Sequence, residues 1–193
     1  MSDTYYVKTF GGLEITNDNV TVNIVELFGK QLVNLLQVLL FHSEKPVQKD
    51  ELIDILWPES KNPSSALKFS IFRLRSELNE IDFFKDKEVI VTTRKGYILN
   101  PNLDWNIDFV ELQKAYNQIN EGAELLDEKE FKIARKIFRL YQGCFYASPS
   151  QLHWILQKQE VFRQMYVKTM MQTSCYLYTQ KRYDEMMLMN YQA

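Results

Sequence analysis

The stretch from Asn62 to Leu78, NPSSALKFSIFRLRSEL, limits the fold of this chain most, because it combines helix signals with a basic face. Asn62 suits the N-cap of a helix and Pro63 its first position. Apolar residues recur at i, i+4, i+7 and i+11, namely Leu67, Ile71, Leu74 and Leu78. This spacing predicts an amphipathic helix with one face on a core.

The rest of this helix surface is basic. No acid precedes Glu77 in the stretch, whereas Lys61, Lys68, Arg73 and Arg75 are cations. An acid-free face with two arginines fits the major groove of DNA, where Arg binds guanine or phosphate bidentately. An amphipathic helix with solvated cations would show the same pattern, so this stretch alone leaves both interpretations open.

The flanking segments predict two further helices and a hairpin. Upstream, residues 29–60 read as a helix, a turn at Lys45-Pro46 and a second helix that ends at Trp57 before Pro58. Trp57 is expected to be buried where that helix meets the 62–78 helix. Downstream, residues 89–99 alternate like a strand, turn near Arg94 and return. Three helices followed by a hairpin predict a winged helix.

The tip of the predicted hairpin clusters hydroxyls and cations. Thr93, Arg94 and Lys95 lie at the turn, Gly96 tolerates a positive φ, and Tyr97 is placed to anchor the return strand. Such a tip reaches phosphates or inserts an arginine into the minor groove. A solvated turn would have the same composition, so both interpretations remain open here.

The segments before the first helix predict a small antiparallel sheet. Strand-like runs at residues 5–10, 13–16 and 20–26 are broken by Gly11-Gly12 and by Asn17-Asp18-Asn19. The first helix has a broad apolar face that is expected to be core. Its members are Leu32, Leu35, Leu36, Leu39 and Leu40.

After Pro101 the pattern changes to long helices. They are expected at residues 108–126 with Asp108 as N-cap, at 128–143 with Gly143 as C-cap, at 151–180 and from 181 to the end. Packing positions such as Ala134 and Tyr183 resemble those of tetratricopeptide hairpins. The chain is therefore expected to be mainly α with a small β-sheet and wing (α+β). In the last helix, we expect Met187 and Tyr191 to form an apolar patch that a following repeat covers.

The order of these segments closely resembles the OmpR/PhoB-type winged-helix domain. Residues 50–57, Arg73-Leu74-Arg75 and 94–97 carry that resemblance, while TFGGLEI at 9–15 and the helices after 101 narrow it to the SARP type, the antibiotic-pathway regulatory proteins. In that family the winged helix precedes a bacterial transcriptional activation domain built from helical hairpins. The resemblance implies a DNA-binding domain at residues 1–100 and a helical interaction domain at 101–193, truncated at its C-terminus.

The resemblance also implies roles for individual residues. Arg73 would read a base, Phe69 would touch a thymine methyl, and Ser70 and Arg75 would contact phosphates. Ser65 and Phe72 depart from the family, whose residues there are often basic or strongly polar. The residues expected to contact DNA are Ser65, Lys68, Phe69, Ser70, Phe72, Arg73, Arg75, Thr93, Arg94 and Lys95.

Composition neither drives nor excludes nucleic-acid binding. The net charge of −2 gives no overall attraction to DNA, and residues 1–100 hold 12 basic and 14 acidic side chains; local placement of cations decides instead. Cys144 and Cys175 lack the spacing of a metal site and are expected to be buried thiols in a reducing compartment. With no signal peptide and no membrane-length apolar run, we expect a cytoplasmic protein.

No catalytic, cofactor or metal site is predicted. Triads, phosphate-binding glycine loops and metal-ligand spacings are missing from the sequence, and His42 and His153 are expected to pack or cap helices.

The leading hypothesis is a sequence-specific DNA-binding regulator that acts as an activator. Its expected partners are double-stranded DNA and RNA polymerase or another protein, and a homodimer on DNA is a further expectation. The alternatives are a protein-interaction scaffold that uses the winged helix for docking, and a ligand sensor whose Tyr and Met residues between 165 and 191 line a pocket.

Overall fold

The computed structural model describes residues 4–119, 126–146 and 153–191. Within these residues the chain forms two compact units. The first contains residues 4–7 and Leu13–Trp105, and the second contains Lys8–Gly12 together with the described residues from Asn106 onward. A short segment near the start of the chain is thus counted with the helical second unit.

The first hundred or so residues alternate short strands with helices, which confirms the expected mixed α+β fold. A 3-10 turn lies at Asp82–Phe84. The other elements are β1 (Thr4–Lys8), β2 (Glu14–Asn17), β3 (Val20–Asn23), α1 (Ile24–Leu27), α2 (Lys30–Phe41), α3 (Lys49–Leu56), α4 (Pro63–Asn79), β4 (Ile90–Thr93), β5 (Gly96–Leu99) and β6 (Asp104–Ile107).

The predicted small sheet is present and has four strands in the order β3-β2-β1-β6. Strands β2 and β3 pair antiparallel, as expected. Asn17 pairs with Val20 across the tight turn, where Asp18 has a φ of +51°. The prediction that β3 continues to residue 26 is wrong. The strand ends at Asn23, because the side-chain oxygen of Asn23 accepts the backbone N–H of Val25 at 3.1 Å and starts α1.

Helices α2, α3 and α4 pack together and provide the core of the first unit. The five leucines expected in the core of α2 are all buried. Helix α3 ends at Leu56, and Trp57 caps it before Pro58, as the proline predicts. The expectation that Trp57 is buried is wrong: the side chain is only half-buried, because the residue lies at the cap, where the chain leaves the helix.

An aromatic cluster around Tyr5 fills the core behind β1. The Tyr5 ring is fully buried, with its centroid 4.9 Å from that of Phe84 and 5.3 Å from that of Trp105. The Tyr5 hydroxyl accepts a hydrogen bond from Lys87 Nζ at 2.5 Å. Trp105 lies on β6, a strand that the sequence did not predict, and it contributes to this core.

The second unit is built from helices that contact one another in chain order. This is the arrangement that the prediction of helical hairpins requires. The helices are α5 (Asp108–Tyr116), α6 (Glu128–Leu140), α7 (His153–Thr179) and α8 (Tyr183–Tyr191). The predicted continuation of the first helix through residues 120–125, and the predicted helix start at residues 151 and 152, lie outside the described residues.

Three predicted helix ends in this unit are wrong. Helix α5 ends at Tyr116 although the helix was predicted to continue to residue 126, because the backbone N–H groups of Gln118 and Ile119 donate to carbonyls three residues earlier and close a turn. Asp108 is the first helical residue of α5, not its N-cap, because its carboxylate accepts the backbone N–H groups of Thr9 at 2.7 Å and Phe10 at 3.1 Å. Helix α6 ends at Leu140 and not at Gly143. Gly143 has a φ of +115° and lies in a turn against the backbone of Gly11, which donates to the carbonyl of Cys144 at 2.9 Å.

The expected burial of the two cysteines is also wrong, since both thiols are exposed. Cys144 follows Gly143 in the turn, and Cys175 lies on the outer side of α7, whose inner side buries Thr173, Tyr176 and Leu177. Of the two packing positions singled out for the hairpins, Ala134 is fully buried whereas Tyr183 is 47% exposed.

Candidate nucleic-acid interface

Helix α4 separates an apolar face from an exposed one, as predicted. Its four apolar stripe residues are buried. The opposite stripe recurs at i, i+3, i+4, i+7, i+8 and i+11 and contains no acid; its members are Ser65, Lys68, Phe69, Phe72, Arg73 and Ser76. Phe69 is 61% exposed and Phe72 is 69% exposed, so two large rings stand in solvent on this stripe.

The first turn of α4 contains no acidic residue, and its backbone N–H groups are not capped by the side chain at the N-cap position. Pro63 occupies the first turn and Asn62 the N-cap, both as predicted. The side chain of Asn62 makes no capping hydrogen bond with the described start of the helix. The first backbone N–H groups of α4 therefore keep their capacity to donate to an anion such as a phosphate.

Arg73 lies near the C-terminal end of the exposed stripe. Its guanidinium donates to Glu77 Oε1, one helical turn later, at 3.3 Å, and the side chains of the pair are 51% and 39% exposed. An ion pair with this exposure contributes little free energy. Arg73 can therefore exchange Glu77 for a base edge or phosphate at small cost.

Arg75 is placed differently from Arg73. Its guanidinium donates from Nε and Nη2 to the carbonyl of Ile90, at 3.0 and 2.8 Å, and from Nη2 to Thr92 Oγ1 at 2.8 Å. These bonds fasten the C-terminal half of α4 to strand β4. The phosphate contact expected of Arg75 stays a prediction, while the observed geometry favours a bracing role.

Ser70, the other residue expected to contact phosphate, is only 7% exposed and lies on the core side of α4. Its phosphate contact also stays a prediction, and its burial favours a packing role.

Strands β4 and β5 form the predicted wing. Arg94 and Lys95 are exposed at the two-residue turn between Thr93 and Gly96. The Thr93 hydroxyl accepts the backbone N–H of Lys95 at 3.2 Å and donates to the carbonyl of Gly96 at 3.1 Å. These local bonds hold the tip in one shape and present its two cations outward.

The base of the wing is anchored as expected. Gly96 has a φ of +145°, and a Cβ there would lie 1.8 Å from the carbonyl oxygen of Val47. Tyr97 is buried and exchanges two backbone hydrogen bonds with Val47, at 2.8 and 3.0 Å. The position thus requires glycine for both its backbone conformation and its close approach.

One candidate contact was missed from the sequence. Lys49 is exposed at the start of α3, with Nζ 6.0 Å from the centroid of the Tyr97 ring, beside the wing. A lysine at the start of a helix does not by itself indicate a DNA contact. The bridge between Val47 and Tyr97, which brings this lysine to the wing, is a long-range pairing that local patterns do not reveal.

Residues 25–99, which include α2 to α4 and the wing, match the model of a family described as transcriptional regulatory protein, C terminal. These residues form a winged helix of the OmpR/PhoB type. The match covers the winged-helix segments that carried the OmpR/PhoB-type resemblance in sequence, so the resemblance of these residues is confirmed.

One solved structure extends the likeness to the fold of most of the chain. EmbR of Mycobacterium tuberculosis, solved in complex with a low affinity phosphopeptide, is similar with a TM-score of 0.62 and 18% identity. The likeness covers 90% of this chain and 46% of the EmbR chain, so this chain spans less than half the length of EmbR. At this identity the likeness concerns the fold: a winged helix followed by a helical region, the order expected of the SARP type.

The DNA-binding domain of CadC from E. coli is a second similar structure, with a TM-score of 0.38 and 25% identity over 51% of this chain and 92% of that domain. No curated protein matches this chain.

Across the described ranges, no group of three or more His, Cys, Asp or Glu side chains could hold a metal ion. None of the helices in those ranges has both the length and the apolar character that crossing a bilayer requires. His42 lies at the C-cap of α2 with its ring 5.2 Å from that of Phe41, whereas His153 is exposed at the start of α7.

Proposed function

We propose that this chain is a sequence-specific DNA-binding transcription regulator that acts as an activator. The observation that carries the proposal is the exposed, acid-free face of α4, which presents Phe69, Phe72 and Arg73 beside a wing with two outward cations. It lies within residues that match a family of transcriptional regulatory proteins.

In this proposal α4 enters the major groove and reads base edges. Arg73 leaves Glu77 and binds guanine bidentately, while Phe69 and Phe72 lie against thymine methyl groups. Ser65 and Lys68, nearer the start of the same stripe, reach the sugar-phosphate backbone. Ser70 and Arg75 support α4 from its inner side and from β4.

The wing supplies contacts that do not depend on sequence. Arg94 and Lys95 lie on backbone phosphates or reach into the minor groove, and Thr93 fixes the shape of the turn. Because these cations are exposed and local, the net charge of −2 does not oppose binding.

The division of labour follows the expected domains. We propose that residues 1–100 bind DNA, as one protomer or as a homodimer, and that residues 101–193 belong to a tetratricopeptide-like activation domain. That helical domain would contact RNA polymerase or another protein.

Selection of bound duplexes from a random library tests the proposal. We expect a consensus to emerge, with an observed affinity that falls linearly on a log-log plot as salt rises. A protein-interaction scaffold that uses the winged helix only for docking would enrich no sequence. That outcome would replace the DNA-binding function with the scaffold.

A further inference from the structure

A cleft of about 700 Å³ lies in the second unit, lined by residues of α6, α7 and α8. It is distinct from the winged helix, since every residue that lines it belongs to the helical unit. Neither the matched family segment nor the residues expected to bind DNA include any part of it.

Part of the cleft lining is apolar and aromatic. Phe138 of α6 and Tyr166 of α7 meet edge to face, with ring centroids 5.6 Å apart. Leu177, on α7, is only 2% exposed at the floor, whereas Leu188, which lines the cleft from α8, is 60% exposed. The cleft thus offers apolar surface that is open to solvent and large enough to receive side chains.

Cations border this apolar surface. Lys132, Arg135 and Arg139 line the cleft at i, i+3 and i+7, so they form a row about 10 Å long on one face of α6. All three are exposed, and none makes an ion pair within the described part of the chain. We call these three residues the basic row.

Among the described residues that line the cleft, Glu185 is the one acid, and its main partner is Arg182, with a weaker electrostatic interaction with Arg135. Both carboxylate oxygens of Glu185 accept hydrogen bonds from the guanidinium of Arg182, at 2.8 and 2.6 Å. This pairing lowers the pKa of Glu185, so Glu185 stays ionised but already has a partner. The cleft therefore combines an apolar, partly aromatic surface with polar groups such as Thr173 and with positive charge along one edge.

An occupant must match both features. A small carboxylate would meet one of the three cations, whereas a helix with acids one turn apart meets a row that is itself spaced by helical turns. The open side of the cleft also suits a helix that keeps its polar face in solvent. We infer that this cleft receives an acidic amphipathic helix of a partner protein, with apolar residues against Phe138, Tyr166 and Leu188 and carboxylates on the basic row.

This inference rests on the proposed interaction role of the helical unit and is independent of DNA binding. The probe is a synthetic, end-capped, fluorescein-labelled helix of about four turns, with leucines on one face and glutamates beside them. Its matched control carries glutamine in place of every glutamate. Fluorescence anisotropy with the whole chain should show binding of the acidic peptide that weakens as salt rises, and binding about tenfold weaker for the glutamine peptide.

The double variant Arg135→Glu with Arg139→Glu should bind the acidic peptide with an affinity lower by about tenfold or more. A version of the peptide with lysine in place of glutamate should bind this variant more tightly than it binds the parent. Lys129→Glu is the matched control, because Lys129 is an exposed cation of α6 outside the cleft. Rescue by the lysine peptide requires a folded double variant, so it separates lost charge from lost structure.

Several results would overturn the inference. One is failure of the acidic peptide to bind, and another is equally tight binding of the glutamine peptide. A third is that Lys129→Glu reduces the affinity for the acidic peptide as much as the double variant does. Displacement of the peptide by decanoate at comparable concentration would indicate a small-molecule site. DNA binding is measured on the same samples. Intact DNA binding without peptide binding would remove this inference alone, and peptide binding without DNA binding would remove the proposed function of the first unit alone.

Discussion

Two arginines of α4 that look equivalent in sequence have different environments in the structure. Residues two apart on a helix point in different directions. Arg73 accordingly faces solvent, while Arg75 turns toward the carbonyl of Ile90 and the hydroxyl of Thr92. Counting cations along the stretch therefore overestimates the charge available to DNA.

The bracing role of Arg75 is testable through stability. Arg75→Ala should lower the free energy of unfolding by about 1–2 kcal/mol, because it removes charge-assisted hydrogen bonds at a half-buried site. Arg94→Ala, at the exposed wing tip, should change it by less than about 0.5 kcal/mol. Urea unfolding monitored by tryptophan fluorescence checks both. An Arg75→Ala midpoint equal to that of the parent would return Arg75 to the set of phosphate contacts.

The exposed rings of α4 predict a preference for thymine in the bound DNA. If Phe69 or Phe72 packs on a thymine methyl, replacing that thymine by uracil removes one methyl contact, worth about 0.8 kcal/mol or roughly fourfold in affinity. Binding of selected duplexes with each thymine replaced in turn locates the contact. Phe72→Ala should abolish the preference for thymine at one position.

Leu27→Ala is the control for this experiment, because Leu27 is a large apolar residue that is 58% exposed on α1 and not on α4. It should leave the preference for thymine unchanged. Uracil duplexes that bind the parent chain as tightly as thymine duplexes would show that the rings do not read methyl groups.

At the level of elements, the wing depends on one close backbone contact. Gly96→Ala would place a methyl group 1.8 Å from the carbonyl oxygen of Val47 at a φ of +145°, so it should destabilise the first unit by about 2 kcal/mol or more. Gly29→Ala is the control, because no atom lies within 4 Å of the added Cβ. Its effect should stay within about 0.5 kcal/mol. A thermal melt of Gly96→Ala that matches that of Gly29→Ala would contradict the observed contact.

The second unit depends on Asp108, which holds the backbone of residues 9 and 10. Burial raises the pKa of this carboxyl above its ordinary value of 3.8, although hydrogen bonds from Thr9, Phe10 and Phe109 oppose the shift. The folded chain then binds the proton more tightly than the unfolded chain does. The stability contributed by this group is therefore complete below pH 3.8 and is lost as pH rises through the folded pKa.

Asp108→Asn removes this titration. The free energy of unfolding of the parent minus that of Asp108→Asn should fall as pH rises from below 3.8 through the folded pKa, and then become constant. Urea unfolding of both proteins at a series of pH values provides the measurement. A difference that grows with pH in this window would mean that the pKa of Asp108 is lowered in the folded chain.

The sequence predicted the elements that depend on local patterns. The stripe of Leu67, Ile71, Leu74 and Leu78 correctly placed the buried side of α4, and the residues around Gly96 correctly placed the wing. Contacts between distant segments were not predicted. Asp108 meets residues 99 positions earlier in the chain, and β6 completes a sheet that begins at Thr4, so neither leaves a local signal. The exposed cysteines were missed because burial statistics for Cys do not identify the outer side of a particular helix.

In the molecule as a whole, local clusters of charged side chains differ from the net charge of the chain. The chain carries −2 overall, yet it presents one acid-free stripe on α4 and a basic row on α6. We expect the first surface to bind DNA and the second to bind a protein partner. The two surfaces share no residue.

The ranking of duplexes by the whole chain tests the DNA-reading role of α4 most directly. The affinities of the parent, Arg73→Ala and Arg94→Ala are measured on the selected duplexes and their single-base variants at several salt concentrations. Arg73→Ala should cost about 1–3 kcal/mol on the best site and lose discrimination at one base pair. Arg94→Ala should weaken all duplexes alike and flatten the salt slope by about one unit. An unchanged ranking with Arg73→Ala would contradict the placement of α4 in the major groove.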